Sequence, residues 1–589
     1  MKRLLAAGLL LFSLGLAQPV PMTRYFPDNA LATLELNDLQ GAVDQTGQFG
    51  EETIRTLTQL AGTSLQELSD ELSREAGMGA LSNLGVRALL GSLRDATVAL
   101  YSGGTSGEPM FLAAAKVGQF GVIGQLLRAG VNDGLKNPRA ARLREGNFVA
   151  IKDGDVWFGM EYGLVYLSSN PDLLRGYLRR LRGQNLPVLT RGAAYKAVMD
   201  GVGPGWARYY FNLGGIAQWL SRSPDAREVP PRVFAVLRTL NLHGAAQRLT
   251  AAGVENRTLS VLNPGGGDPE LFRLLTYSPE RLELTAQLPA QTNGAAMVAL
   301  DTAGWLRYIG SWADLALAEG EARTEEVEQV KQVLGELEGH LGTEFGISSS
   351  ANGVRTLTRS ALLTGGLDAL SDDPVTEFVS GLTSALDANL LFAQVKDGPA
   401  ALEVLESAIR TQLEGLSTTG TRQTLERIEL LGNPTLHLNI RINTEDSGQG
   451  RGSSRNVTPR PALNFDYYLV AKGNVLWLGG NREDLEAALR APALAADPAF
   501  NAQRWPTRPA ALNFALPLRL TAEQVNELID SFAGQFDPEA AQQIPQNLRQ
   551  IAVNWVVNWS SRNGVTAGHS TVSGNRVQTY SLSEFRWGR

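Results

Sequence analysis

The sequence predicts an α+β protein: two tandem copies of a mixed, mainly antiparallel sheet unit with helices packed on one face. Three observations predict it. Two stretches of the chain align with each other without gaps, hairpins outnumber single strand-helix-strand crossovers, and amphipathic helical stretches separate the strands.

The ungapped match sets residues 155–178 (DVWFGMEYGLVYLSSNPDLLRGYL) against 466–489 (DYYLVAKGNVLWLGGNREDLEAAL), an offset of 311. Asp155 falls on Asp466, Trp157 on Tyr468, Tyr166 on Trp477, Asn170 on Asn481 and Leu178 on Leu489. Each copy reads as strand, tight turn, strand and then a helix capped by Asn170 or Asn481, with Pro171 suited to the first helical position. Phe111–Lys116 matches Leu391–Lys396, each a strand followed by a loop and a helix, and Phe148–Lys152 matches His437–Arg441 at an offset of 289. The difference between the offsets places 22 extra residues in the second copy, within Asn443–Asn464. Their Gly, Ser, Thr, Arg and Pro content predicts an exposed flexible insertion.

Both copies open and close alike. Pro27-Asp28-Asn29 leads into the apolar strand Ala30–Leu36, and Pro289-Ala290-Gln291 leads into Ala295–Leu300; Asn37-Asp38 and Asp301-Thr302 then start helices. Near the ends, a helix precedes a hairpin whose turn is placed at Gly253-Val254 in one copy and Gly564-Val565 in the other, the second strengthened by Asn563-Gly564. In Thr324–Leu341, Val327, Val330, Leu334, Leu337 and Leu341 form one apolar stripe. The units are therefore placed at 22–280 and 281–589.

A Pro-Ala/Asp entry before an apolar strand, a short strand ending in Lys before a helix, and a hairpin running into an Asn-capped helix together resemble the bacterial exported family called domain of unknown function 3352. Pro27–Leu36, Phe111–Lys116 and Val156–Leu178, with their second-copy counterparts, carry the resemblance over most of the mature chain. It implies export and the α+β fold and supplies no catalytic residues.

The chain begins with Met1, Lys2 and Arg3, an apolar run Leu4–Leu16 and the small-residue site Gly15-Leu16-Ala17, a secretory signal pattern with cleavage expected after Ala17. The run has 13 residues, too short to span a bilayer, so no transmembrane segment is expected after cleavage. Loss of Lys2 and Arg3 moves the formal charge from -7 to -9, which offers no basic footprint for nucleic acid. With 0 Cys, disulfides, thiolate metal sites and cysteine nucleophiles are excluded. A periplasmic, envelope-associated or extracellular location follows.

No catalytic, cofactor-binding or metal-ligating residue emerges. The histidines His243, His340, His437 and His569 are dispersed without ligand spacing. Asp368, Asp372, Asp373 and Glu377 could hold a cation, but Asp372-Asp373-Pro374 reads as a helix entrance. Asp153-Gly154-Asp155 reads as a hairpin turn, since the rest of a calcium loop is missing. Ser168-Ser169-Asn170 aligns with Gly479-Gly480-Asn481, so the cap recurs and the hydroxyls do not. Trp555, Val557 and Trp559 alternate as on a strand, and Trp157, Tyr166, Tyr468 and Trp477 are either sheet packing or a platform for glycan or peptide. The expected function is that of a non-enzymatic envelope protein binding a peptide, polymer or partner protein, across a cleft where the units meet. The alternative is an exported hydrolase using Asp and Glu carboxylates.

Overall fold

The computed structural model describes residues 22–60, 93–103, 108–117, 136, 140–223, 226, 229–279, 281–289, 294–318, 324–349, 389–415, 421–442, 463–517, 519–536 and 546–587. The signal segment, the acidic group at 368–377 and residues 443–462 of the expected insertion lie outside them; Leu463 and Asn464 already belong to a strand. The fold is mixed α+β with antiparallel sheet. Contacts divide the chain into two compact units, Met1–Thr276 with Val572–Arg589, and Tyr277–Thr571.

In the first unit β1 (Ala32–Leu36) and α1 (Leu39–Leu60) are followed by β2 (Leu93–Tyr101), β3 (Met110–Val117), β4 (Arg142–Glu145), β5 (Phe148–Asp153), β6 (Val156–Glu161) and β7 (Leu164–Ser168). Then come α2 (Pro171–Leu181), α3 (Ala193–Val202), β8 (Ala207–Asn212), α4 (Leu213–Leu220), α5 (Pro231–Leu240), β9 (Leu242–Thr250), β10 (Gly253–Val261) and α6 (Pro269–Leu275). The strands pair antiparallel in the order β4-β5-β6-β7-β3-β2-β1-β8-β9-β10.

The second unit holds β11 (Gly294–Ala299), α7 (Thr302–Ala318), α8 (Thr324–Glu338), β12 (Leu341–Ser349), β13 (Asn389–Val395), α9 (Gly398–Gly415), β14 (Thr421–Leu430), β15 (Asn433–Ile442), β16 (Leu463–Lys472) and β17 (Val475–Gly479). It continues through α10 (Arg482–Arg490), α11 (Pro498–Asn501), β18 (Ala511–Ala515), α12 (Ala522–Phe536), α13 (Gln546–Arg562) and β19 (Asn563–Ser573). Its antiparallel order is β14-β15-β16-β17-β13-β12-β11-β18-β19. The last strand, β20 (Arg576–Phe585), pairs along the whole of β10. That ladder corrects the expected boundary at 589: residues 572–589 belong with the first unit because their backbone donors and acceptors are satisfied there.

Helices cover both faces of the second unit's sheet, which corrects the one-face expectation there. Successive strand residues point to opposite faces. On β7, Leu164 and Tyr166 join a core with Leu174 and Leu178 of α2, whereas Val165 packs with Leu36, Ala113 and Met160 on the other side. On β17, Val475 and Trp477 meet Leu485 and Leu489 of α10, and Leu476 between them meets Ala401 and Leu402 of α9. Gly159 makes room for one of these core rings: a Cβ there would lie 2.4 Å from the Tyr166 ring.

Two local expectations change. Asn563-Gly564 is not a hairpin turn; α13 runs directly into β19 there, and the turn falls at Gly574 and Asn575, with Gly574 in the left-handed region at φ 60°. In the first unit the turn is Ala251-Ala252, and Gly253 already begins β10. Trp555, Val557 and Trp559 lie on α13, not on a strand. Residues four apart share a helix face, so Trp555 and Trp559 satisfy helical spacing as well as alternation. The stripe predicted to run to Leu341 also ends earlier, because α8 stops at Glu338 and Leu341 opens β12.

Each unit buries a carboxylate. Glu35 on β1 accepts a hydrogen bond from the Tyr195 hydroxyl of α3 and one at 3.4 Å from the Arg208 guanidinium of β8. Glu344 on β12 accepts from the backbone N–H groups of Glu283 and Leu284, both at 2.7 Å, and so fastens the 3₁₀ turn Leu284–Ala286 to the sheet. Burial pushes both carboxyls above their ordinary value, with Arg208 opposing the shift at Glu35 and the two N–H donors opposing it at Glu344.

The two helix caps are built alike. The Asn170 side-chain oxygen accepts from Asp172 N at 2.9 Å and Leu173 N at 3.0 Å, and that of Asn481 from Glu483 N at 2.8 Å and Asp484 N at 3.4 Å. Replacing either Asn by Ala should cost about 1 kcal/mol in urea unfolding of the full chain, with Asp at the same position restoring most of it. For Glu35 the sign follows from its raised pKa: the protonated form's stabilisation is complete below its ordinary 4.5 and is lost as pH rises through the displaced value. In thermal melts between about pH 4 and 8, the wild type should lose stability relative to Glu35→Gln as pH rises. Parallel pH profiles for the two proteins would contradict that assignment.

Candidate functional site

The second unit contains a cavity of about 1060 Å³ between its sheet and the helices α8 and α9. Strand alternation builds its floor. On β15, Leu436, Leu438 and Ile440 turn toward it while His437 and Asn439 fall on the opposite parity; on β16 and β17 the lining comes from Tyr467 and Leu469, and from Leu476 and Leu478. The helical wall follows from amphipathic spacing. Leu334 and Leu337, part of the predicted α8 stripe, line the cavity together with Leu405, Ile409 and Leu413 of α9.

An ion triad holds α9 to the sheet. Glu406 accepts from Arg410, one turn along α9, at 2.7 Å, and from Arg427 on β14. The Arg410 hydrogen bond, joined by Arg427, keeps the Glu406 carboxyl below its ordinary value.

The lining is almost wholly apolar. Among the described residues that line it none is Asp or Glu; the polar side chains on its face are Tyr467 on β16, Gln423 on β14, Asn513 on β18 and Ser570 on β19, while His569, opposite Leu512, falls on the other parity. Such a site can remove apolar surface from water. A second, polar cleft of about 670 Å³ includes Arg281, Glu283, Glu344 and Arg508. There both Glu344 oxygens are taken by backbone donors, and Glu283 is paired with Arg281 at 2.8 Å. Among the described residues no group of three or more His, Asp or Glu is placed to hold a metal ion.

The aromatic candidates fall elsewhere. Tyr166 is fully buried, donating its hydroxyl to Val149 O at 2.9 Å. Trp477 is buried against Phe392, with ring centroids 5.3 Å apart, and Tyr468 is buried and stacked on His437 at 4.6 Å. Trp157 is half-buried against the first unit's core. Burial withdraws the faces of Tyr166, Tyr468 and Trp477 from any ligand, so these rings pack cores rather than form a platform. The remaining polar candidates serve the backbone or their neighbours. Ser168 donates to Phe111 O at 2.8 Å and accepts from Asn170 N at 3.1 Å, and Gly154 supplies the positive φ of the turn between Asp153 and Asp155. His437 contacts Asp466 at 2.7 Å, while His243 contacts Ser260 at 2.8 Å; burial lowers the pKa of His243 and of His569.

No protein-family model and no curated protein matches the chain. A solved structure, crystal form III of TP0453, is similar at 8% identity and a TM-score of 0.24, over 45% of this chain and 90% of that one. A likeness at that level carries no argument. Among the described residues no helix is long and apolar enough to cross a membrane.

Nothing in the sequence separated the cavity's Leu, Ile and Ala residues from ordinary core. Alternating apolar residues look the same whether the space they face is filled or empty.

The Glu406 triad yields a pH test on the cavity wall. A depressed carboxyl contributes stability that is present above its ordinary 4.5 and is lost as pH falls through the displaced value. Hydrogen exchange of α9, corrected for intrinsic rates, should speed up on acidification below about pH 4 in the wild type. In Glu406→Gln it should already be faster at neutral pH and change little on acidification. Equal protection in the two proteins at neutral pH would show that the triad does not hold the helix.

Proposed function

We propose that this chain is an exported cell-envelope protein, periplasmic or extracellular, that acts as a non-enzymatic binding protein and holds an apolar ligand in its second unit. One observation carries the reading: a cavity of about 1060 Å³ whose described lining residues include no carboxylate and few polar groups. Ligand sites are typically concave, mostly apolar and furnished with a few orienting polar groups, and volumes of roughly 300–1,000 Å³ are usual. Each methylene removed from water there contributes about 0.8 kcal/mol. Export rests on residues 1–17, with their basic start, apolar run and small-residue site.

The two units are, in this reading, copies of one folding plan, as in the exported family named domain of unknown function 3352. The pairing orders β4-β5-β6-β7-β3-β2-β1-β8-β9 and β14-β15-β16-β17-β13-β12-β11-β18-β19 support it. So do the Asn caps that follow β7 and β17. Envelope proteins, peptides or polymers remain partners for surfaces outside the cavity.

The test is a probe titration. Anilinonaphthalene sulfonate should bind the folded wild-type protein saturably, with enhanced fluorescence and a raised melting temperature. Ile409→Glu, which places a carboxylate in the α9 wall, should weaken binding by about tenfold or more while the far-ultraviolet circular dichroism stays unchanged. Failure of the native protein to bind, or equal binding by the variant, would remove the cavity from the function.

A further inference from the structure

The shape of the cavity narrows the ligand. Its lining residues come from all nine strands of the second unit's sheet, from Gln423 and Leu425 on β14 at one edge to His569 and Ser570 on β19 at the other. Neighbouring strands lie about 4.8 Å apart, so eight interstrand steps give a span of about 38 Å across the sheet. A cavity of about 1060 Å³ lined along that span is elongated across the strands. The space is a long slot that runs across the strands.

Polarity is distributed along the slot as well. Apart from Tyr467 on β16, the polar side chains among the described lining residues lie on outer strands: Gln423 at the β14 edge, and Asn513 and Ser570 at the β18–β19 edge. Between them the floor is Leu436, Leu469, Leu478, Leu391, Ile347 and Val298, taken in order across the sheet. A mainly apolar middle with the pair Asn513 and Ser570 at the β18–β19 end suits a molecule with a long hydrocarbon tail and a single polar end.

We propose that the ligand is a long-chain fatty acid or another single-tailed acyl lipid, its tail lying across the strands and its polar end at β18–β19. This rests on the apolar-ligand reading above and adds the chemical class and the direction of binding. The neutral amide of Asn513 and the hydroxyl of Ser570 supply hydrogen bonds to a carboxylate or ester. Among the described lining residues there is no Lys or Arg, which fits recognition governed by tail length more than by head-group charge.

Hexanoate, decanoate, laurate and palmitate, each below its micellar concentration, would be titrated into the full chain against bound anilinonaphthalene sulfonate. Affinity should rise by about fourfold per added methylene, the factor expected for full removal from water, up to the longest chain that fits. Ala393→Trp on β13 blocks the slot midway and should flatten that rise at shorter chains, leaving hexanoate affinity within about twofold. Ala511→Trp on β18 provides an independent obstruction near the polar end and should weaken every chain, including hexanoate. A probe that binds while the fatty acids compete without chain-length dependence would overturn the acyl-lipid assignment and leave the apolar-cavity reading standing. Chain-length dependence unaltered in both folded Trp variants would overturn binding in this slot. If neither probe nor fatty acid binds the folded wild type, both readings fall.

Discussion

Each unit depends on a central strand that is buried on both faces. Val475 and Trp477 of β17 need a covering layer on one side, and Leu476 needs another on the opposite side. A strand of this kind is stable only if helices close both faces, because uncovered apolar side chains keep their hydration cost. The same demand acts on β7 through Tyr166 and Val165. Covering helices, their caps and the ion pairs that pin them are consequences of that one requirement.

The two coverings of the second unit differ in how closely they follow the sheet. On one side α10, capped by Asn481, and the 3₁₀ turn fastened by Glu344 bring Leu485, Leu489 and Leu284 into a filled core. On the other, α8 and α9 meet the sheet along their apolar stripes and leave the slot between. A helix is a rigid cylinder and a twisted sheet is a saddle, so contact made along one line opens space beside it. Large side chains would fill that space, yet the lining includes Ala296, Ala393, Ala408 and Ala511. Small residues at these places keep the slot open at the expense of dispersion contacts that a packed core would gain.

Charge is used sparingly and at defined places. Glu35 and Glu344 are buried where they tie layers together, through a tyrosine hydroxyl and a guanidinium in one unit and through two backbone N–H groups in the other. Such groups tolerate burial because their oxygens are occupied by donors. Glu406 works at the boundary between helix and solvent, where two guanidiniums favour its ionised form. None of the three is among the described residues that line the cavity.

The sequence by itself determined the mixed α+β class, the hairpin and Asn-capped helix at 156–178 and 467–489, and the strand character of Phe111–Lys116 and His437–Arg441. These are local properties: alternation, turn residues and caps act over a few residues and leave their mark in order. Tertiary structure alone decided that helices lie on both faces of the second unit's sheet, that β20 pairs with β10, that Asn563-Gly564 joins a helix to a strand, and that Trp555 to Trp559 are helical. It alone also placed Leu438, Leu478 and Ile409 around open space while sinking Tyr166, Tyr468 and Trp477 into cores. The physical reason is that an apolar residue carries the same preference for burial wherever it sits, and only the distance between the layers that bury it sets whether the space beyond is filled or free.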